Sequence, residues 1–399
     1  MELVELSKVC DLKNGFAFKS KDYVEISDTL SCRMSSIRPG GYFDLHHNKR
    51  FLPNKFINLY SDYLLKDGDI VIAMTDLAGD PKILGVPTIV KTEGKFLLQN
   101  QRVGKLIIKD DKQVFVPYLQ YALNRSENKS YYKKFASGGL QINIGKKEIL
   151  GNKIPLPSLE IQKKIASILE QADKIRQLNK QLIDKYDALT QSLFLEMFGD
   201  PVLNPKGWEK VKFNEVGKLD RGKSKHRPRN APELLGGEYP LIQTGDVANS
   251  GGYITKFKST YSEIGLAQSK MWDSGTLCIT IAANIAKTGI LTFDACFPDS
   301  VVGFIPNEKT NVIYTQFWIS FLQKILEDSA PESAQKNINL SILRDLDFMN
   351  PPLKLQNEFA ERVKIIENQK KQAEVSLQKS EDLFNSLLQK AFKGALVKE

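Results

Sequence analysis

Apolar residues recur every three or four positions from Ile161 to Leu193. The series is Ile161, Ile165, Ile168, Ala172, Ile175, Asn179, Leu182, Tyr186, Leu189 and Leu193. A 4-3-4-3 spacing sustained over the whole segment predicts a coiled-coil helix. Ser158 stands at the N-cap position with Glu160 in the first turn, and Gly199 and Pro201 supply the stop. About 40 residues at ~1.5 Å each give a rod of roughly 60 Å. Asn179 inside the seam is expected to hold the register at some cost in stability. A second, weaker seam runs Phe359, Val363, Ile366, Ala373, Leu377, Phe384 and Leu387, interrupted by Lys370 and Ser380. Alone it predicts a poor coiled coil; packed on the first helix it would serve.

The chain is written twice. "QINI" at Gln141 and "QKNI" at Gln335 lie 194 residues apart. At the same offset Pro157 matches Pro351, Leu159 matches Leu353, Gln162 matches Gln356, Ala166 matches Ala360, and Phe198 matches Phe392. The front halves align at a slightly different offset. Val4, Leu6, Val9, Leu12 and Gly15 recur as Val211, Phe213, Val216, Leu219 and Gly222. Ordered matches along both halves predict a tandem duplication. The linear division is 1–155, a globular domain; 156–199, a long helix; 200–350, a second globular domain; and 351–399, a second long helix.

Connectivity gives direction. The first helix carries the chain away from the first domain, and the second helix starts from the second domain. An antiparallel return lets the two seams meet. The expected fold class is α+β: two similar α/β globular domains separated by two antiparallel coiled-coil helices, with a pseudo-twofold axis. DNA-binding proteins with that symmetry read two half-sites spaced along the duplex, ~34 Å apart for one turn. Within the domains, "DIVIA", "VGKLII", "TLCITIA" and "VVGFI" read as strands. "PYLQYALNRSENKSYYKKF" and "YTQFWISFLQKILEDS" read as helices.

Charge sharpens this picture. The net charge of +9 is modest for 399 residues, so its placement matters more than its size. The stretch from Trp208 to Asn230 holds Lys210, Lys212, Lys218, Arg221, Lys223, Lys225, Arg227 and Arg229, opposed by Glu209, Glu215 and Asp220. Such side chains can neutralise phosphates, and arginine can also grip guanine. Gln243 and Asn249 add amides suited to adenine edges. In the first domain the candidates are Lys13, Asn14, Lys19, Lys21, Arg33 and Arg38, with Gln99, Gln101 and Arg102 in "QNQR". Each taken singly is also readable as an ordinary solvated charge.

The four cysteines are scattered without a C-x-x-C, and three histidines make no zinc-type set. Reduced thiols in a cytoplasm are expected. No apolar run reaches the ~18–20 residues of a membrane span, and the N-terminus lacks a signal-type apolar segment. No bound metal or membrane partner is therefore expected.

Two motifs compete with this reading. Gly217 to Ser224 spells G-x-x-x-x-G-K-S, the phosphate-loop pattern. It needs a helix opening at Lys223-Ser224, yet Pro228 and Pro232 follow. In the first domain the aligned segment keeps only the second glycine. An ATP-binding enzyme using this loop is one alternative; a coiled-coil scaffold without a DNA role is another. "NPPL" at Asn350 resembles a methyltransferase tetrapeptide, but Leu353 stands where an aromatic residue would stack on a flipped base. Its prolines align with a helix start.

The junctions "NKIPLPSLEIQKKIASILEQADKI" and "NPPLKLQNEFAERV", with "YPLIQTGDV" and "NGFAFKS", resemble the specificity (S) subunit of type I restriction–modification systems. The resemblance covers essentially the whole chain. It implies a non-catalytic subunit in which each domain reads one half of a bipartite duplex DNA target. It implies that the helices set the spacer and dock two methyltransferase (M) subunits, joined by restriction (R) subunits. S-adenosylmethionine, ATP and Mg would belong to those partners, with no cofactor bound by this chain.

Overall fold

The computed structural model describes residues 1–282, 284–329 and 337–397; Gln335 of the second repeat motif lies outside them. The chain forms two compact units, Met1–Leu178 with Ser376–Glu399, and Asn179–Val375. Each unit thus takes one globular domain and one part of each long helix.

In the first unit, Leu3–Glu5 pairs antiparallel with Lys153–Pro155. A four-stranded antiparallel sheet has the order Pro87–Ile89, Ile70–Ala73, Val103–Ile108, Cys10–Asn14. All four residues of Ile70–Ala73 are buried, so "IVIA" is continuously apolar rather than alternating. A second sheet runs Phe51–Leu52, Thr29–Cys32, Phe96–Gln99, Leu64–Leu65, with its two middle strands parallel. The helix Val116–Leu123 buries Tyr118, Leu119, Ala122 and Leu123. One apolar core joins these residues to Ile165, Leu169 and Ala172 of the first long helix and Phe384 and Ala391 of the second.

The second unit repeats the plan. Lys210–Lys212 pairs with Asp347–Met349. A five-stranded sheet has the order Gly217–Arg221, Val301–Pro306, Leu277–Thr280, Thr288–Leu291, Tyr253–Ile254. A smaller sheet again holds a parallel contact, between Leu241 and Cys296. The helix Val312–Ser329 covers the large sheet. Both units are α+β.

The duplication is visible in side-chain locks as well as strands. Gln162 Oε1 accepts from Phe115 N at 2.9 Å while its Nε2 donates to the Pro157 carbonyl at 2.8 Å. Gln356 Oε1 accepts from Asn311 N at 2.9 Å while its Nε2 donates to the Pro351 carbonyl at 2.8 Å. Tyr118 Oη donates to the Pro155 carbonyl, and Tyr314 Oη to that of Met349. Gly15 and Gly222 follow equivalent strands. A Cβ on either would lie 2.2 Å from a backbone carbonyl oxygen, of Asn100 and Phe297 respectively. Only glycine allows that approach.

The long helices span Leu159–Phe198 and Leu353–Phe392. Gln162 N donates to the Ser158 carbonyl at 3.0 Å, and Gly199 closes the first helix at φ +83°. Local contacts are antiparallel. In the second unit Asp187 meets Lys370 at 2.5 Å and Phe194 meets Phe359 at 5.6 Å between ring centres.

The packed seam of the first helix differs from the apolar pattern. Ile161, Ile165 and Ala172 are buried, Ile168, Asn179, Tyr186 and Leu193 half-buried. Ile175 is 49% exposed, Leu182 39% and Leu189 49%. Their inward places are taken by Arg176, Ile183 and Thr190, and Leu169 is buried more deeply than Ile168. The 4-3 rhythm persists, one residue later at alternate positions. Hydrophobicity alone missed this because two inward side chains are polar but satisfied. Arg176 bonds to Asp173 and Tyr42 and lies 4.3 Å from the Phe384 ring centre. Thr190 Oγ1 donates to the Tyr186 carbonyl at 3.0 Å. On the second helix Phe359, Val363, Ala373 and Phe384 are buried and Ile366, Leu377 and Leu387 half-buried. Its polar interruptions are accommodated, Lys370 by Asp187 and Ser380 by a bond to the Leu377 carbonyl at 2.7 Å.

Candidate nucleic-acid interface

Each unit carries a polar cleft beside its smaller sheet. In the first unit the cleft is about 670 Å³. Arg33, Arg38 and Arg102 line it half-buried, and His47, Lys49 and Arg50 form an exposed rim. Arg33 leaves the buried strand Thr29–Cys32 and starts the short helical turn Met34–Ser36, its N–H bonded to Ser36 Oγ at 3.3 Å. Its guanidinium lies over the Tyr23 ring. Arg102 sits in a tight turn in which Val103 N donates to the Asn100 carbonyl at 3.0 Å, and its Nη1 approaches Met34 Sδ at 3.9 Å. The acid in the cleft, Asp76, is turned inward and accepts the backbone N–H groups of Leu77, Ile83 and Leu84. Among the described residues, Arg33, Arg38, Lys49, Arg50 and Arg102 form no ion pair.

The second unit's cleft is about 300 Å³ and is lined by Ser224, Arg229, Asn230, Gln243, Thr244 and Ser300. Gln243 starts the helical turn Thr244–Ala248, its N–H bonded to Asp246 Oδ2 at 2.9 Å. Arg229 is held by Asp299 at 2.5 Å, and Arg227 stands 3.7 Å from the same carboxylate. Arg227 Nη1 also donates to the carbonyls of Ser224 and His226. Ser224 is buried, and its Oγ has no partner within the protein.

The two clefts occupy the same place in the fold. Arg33 and Gln243 both cap a helical turn that follows the first strand of the small sheet. Arg102 and Ser300 both precede a valine whose N–H closes an equivalent turn, Val103 to Asn100 and Val301 to Pro298, each at 3.0 Å. Thr75 faces Asn143 as Ala282 faces Asn337. The scaffold is common while the side chains in it differ.

The sequence candidates are only partly gathered here. Arg33, Arg38 and Arg102 meet in one cleft; Arg229 and Gln243 meet in the other. Gln99 is a correction: it is buried, and its Nε2 is used by the carbonyls of Lys13 and Val103. It props a strand junction and offers no edge to a ligand. Lys13 Nζ donates to the Asp62 carbonyl and lies over Tyr63. Asn14, Lys19, Lys21 and Gln101 are exposed outside the clefts, as are Lys223 and Lys225. Arg221, in the strand, and Asn249, bonded to the Gly245 carbonyl at 2.7 Å, also stand outside them. His47, Lys49, Arg50, Gln141, Ser224, Asn230, Thr244 and Ser300 were not among the DNA-contact candidates of the sequence. The basic pair Lys49-Arg50 was the available signal; the hydroxyls and amides had none.

The phosphate-loop pattern dissolves in the fold. Gly217–Arg221 is a strand paired with Val301–Pro306. A Cβ on Gly217 would fall 2.3 Å from the Phe304 ring, so this glycine serves packing. The next helical turn is Pro232–Leu234, leaving no helix N-terminus at Ser224 for a phosphate. Asn350-Pro351 is helix-start punctuation, with the Pro351 carbonyl taken by Gln356. Among the described residues, no group of three or more metal-ligating side chains gathers, and no helix is long and apolar enough to cross a membrane.

An α+β scaffold built twice in one chain, with a polar cleft at the same point of each copy, defines a tandem-duplicated two-domain protein. The chain belongs to the type I restriction modification DNA specificity domain family, whose sequence profile matches residues 1–186 and 205–377. It is 24% identical over 321 residues to the putative type I restriction enzyme MjaX specificity subunit of Methanocaldococcus jannaschii, covering 77% of this chain and 73% of that one. It is 24% identical over 436 aligned residues to the type I restriction enzyme EcoBI specificity subunit of Escherichia coli, covering 98% and 85%. The fold is similar to the S subunit of a type I restriction–modification system from M. genitalium. The TM-score is 0.58 at 14% identity, over 98% of this chain and 96% of that one.

Proposed function

We propose that this chain is the non-catalytic DNA-reading subunit of a type I restriction–modification assembly, each globular domain reading one half of a bipartite duplex sequence. The observation that carries this reading is the cleft built twice with different linings. Two half-sites of different sequence require a shared scaffold and divergent polar side chains. The arginines and lysines neutralise phosphates, which fixes register, while cleft side chains meet base edges. Lys19, Lys21, Lys223 and Lys225 are candidates for the phosphate contacts.

On the first helix Ile175 and Leu178 are exposed in the first unit, and Leu182 and Leu189 in the second. We assign these exposed apolar residues to the docking of two methyltransferase subunits, with restriction subunits joining that assembly. Methyl transfer with S-adenosylmethionine, and ATP- and Mg-dependent cleavage, then reside in those partners. The reading is tested by methylome sequencing of a host with and without this gene. Loss of one bipartite methylated motif is expected. An unchanged methylome would favour a scaffold without a DNA role.

A further inference from the structure

We propose that Arg33 and Arg102 are specificity-determining residues that grip guanine edges in the half-site read by the first domain, while Lys49 and Arg50 at the rim hold phosphates. The proposal rests on the DNA-reading function above and assigns its chemistry to one cleft. The sequence points elsewhere, to the basic run from Arg221 to Arg229. The fold reverses that weighting. In the second unit Arg229 and Arg227 share the carboxylate of Asp299, and the other polar side chains of the cleft are amides and hydroxyls beside the apolar Leu241, Ala282 and Pro298. In the first unit the only acid in the cleft has its carboxylate occupied by three backbone N–H groups. Among the described residues, the arginines there form no ion pair.

A partly desolvated guanidinium ordinarily finds a carboxylate or carbonyl acceptor inside the protein. Arg33 and Arg102 find instead an aromatic face and a thioether, Tyr23 and Met34. The Tyr23 ring orients Arg33 without taking a donor, and the thioether takes a single Nη1 N–H of Arg102 in a weak bond that leaves the rest of its planar fork to a ligand. Half-burial at the cleft floor keeps these two from sweeping along a phosphate backbone. Planar, oriented and unpaired donors match the O6 and N7 acceptors of guanine in the major groove. Lys49 and Arg50 are exposed on the rim, where a charge neutralises phosphate and carries no base information. Equivalent positions in the second domain are Gln243 and Ser300, which lack such a fork. The two halves of the target are therefore read by different chemistry.

The test uses the complete methyltransferase–specificity complex, with selection from randomised duplexes and parallel binding titrations in salt. Wild type is expected to return a split consensus. R33Q and R102Q are expected each to relax a G·C pair in one half only, with about a 5- to 100-fold loss of discrimination at that pair. The other half stays unchanged and serves as the control for folding. K49Q/R50Q should keep the consensus and lower the salt slope by about two. If R33Q and R102Q weaken all sequences equally and leave the consensus intact, they are phosphate contacts and the proposal falls while the DNA-reading function stands. If either variant instead loses both halves together, cleft specificity is refuted in favour of a structural role. If the wild-type complex returns no split consensus, the underlying reading itself fails.

Discussion

The side-chain amide of Gln162 donates to the carbonyl oxygen of Pro157 at 2.8 Å, pinning the first turn of a long helix to the strand-and-proline segment that leads into it. The same amide group accepts from Phe115 N and donates to the Gln113 carbonyl. Gln162 is fully buried, so each of these groups depends on it. Replacing Gln162 with Leu strands a part-buried N–H and two part-buried carbonyls. We expect a loss of about 1–3 kcal/mol in urea unfolding of the full chain, and a comparable loss for Gln356→Leu.

The revised helix seam separates two neighbours. Arg176→Ala removes bonds to Asp173 and Tyr42 and the stacking on Phe384. It should cost about 1.5–3 kcal/mol, the range for hydrogen bonds to charged groups. Ile175→Ser, at a largely exposed site, should change stability by less than about 0.5 kcal/mol. Co-purification with the methyltransferase subunit should show the opposite order, with Ile175→Ser weakening assembly. Equal destabilisation of the free chain by both would restore the original seam.

Asp299 restrains two arginines. Asp299→Ala should release Arg227 and Arg229 towards phosphates and steepen the salt dependence of nonspecific DNA binding by about one to two units of slope. Fluorescence anisotropy across a salt series measures this. A flatter slope would show that these arginines depend on Asp299 for their placement on DNA.

Glu367, half-buried on the second long helix, has its carboxyl raised above the usual range, first by burial and further by Asp187 of the first helix, despite the opposing Lys370. A raised acid favours the folded state at low pH. That contribution is complete below the ordinary carboxylate range and is lost as pH rises through the raised value. Glu367→Gln should therefore be more stable than wild type at neutral pH, with the gap closing in acid. Thermal melts from pH 4 to pH 8 would reveal a constant gap if the carboxylate were not desolvated.

Burial pushes the Cys10 and Cys32 thiols up to about 12, and raises Cys278 and Cys296 as well. At pH 8 the thiolate is scarce in the folded chain, so alkylation by iodoacetamide should run on the order of a thousandfold slower than in urea. Rapid labelling of any one cysteine in the native chain would place it at the surface.

The duplication, the two long helices, and the glycine pair Gly15 and Gly222 were legible in the sequence; the second helix, expected over 351–399, ends at Phe392. Each is written in local spacing or in exact recurrence, and periodicity reports which side of an element is dry. The family followed from the same junctions. What the sequence could not settle was the choice between adjacent positions and the fate of individual charges. Ile175 and Arg176 differ by one residue, and only the packing of Tyr42, Asp173 and Phe384 around Arg176 turns it inward. Gln99 reads as a base-contacting amide until two backbone carbonyls claim it. Arg229 and Arg33 are both arginines in the sequence, yet Asp299, 70 residues away from Arg229, pairs with one, and among the described residues no acid pairs with the other. Partners distant in the chain decide which polar groups are already satisfied, and only the unsatisfied ones are left for DNA.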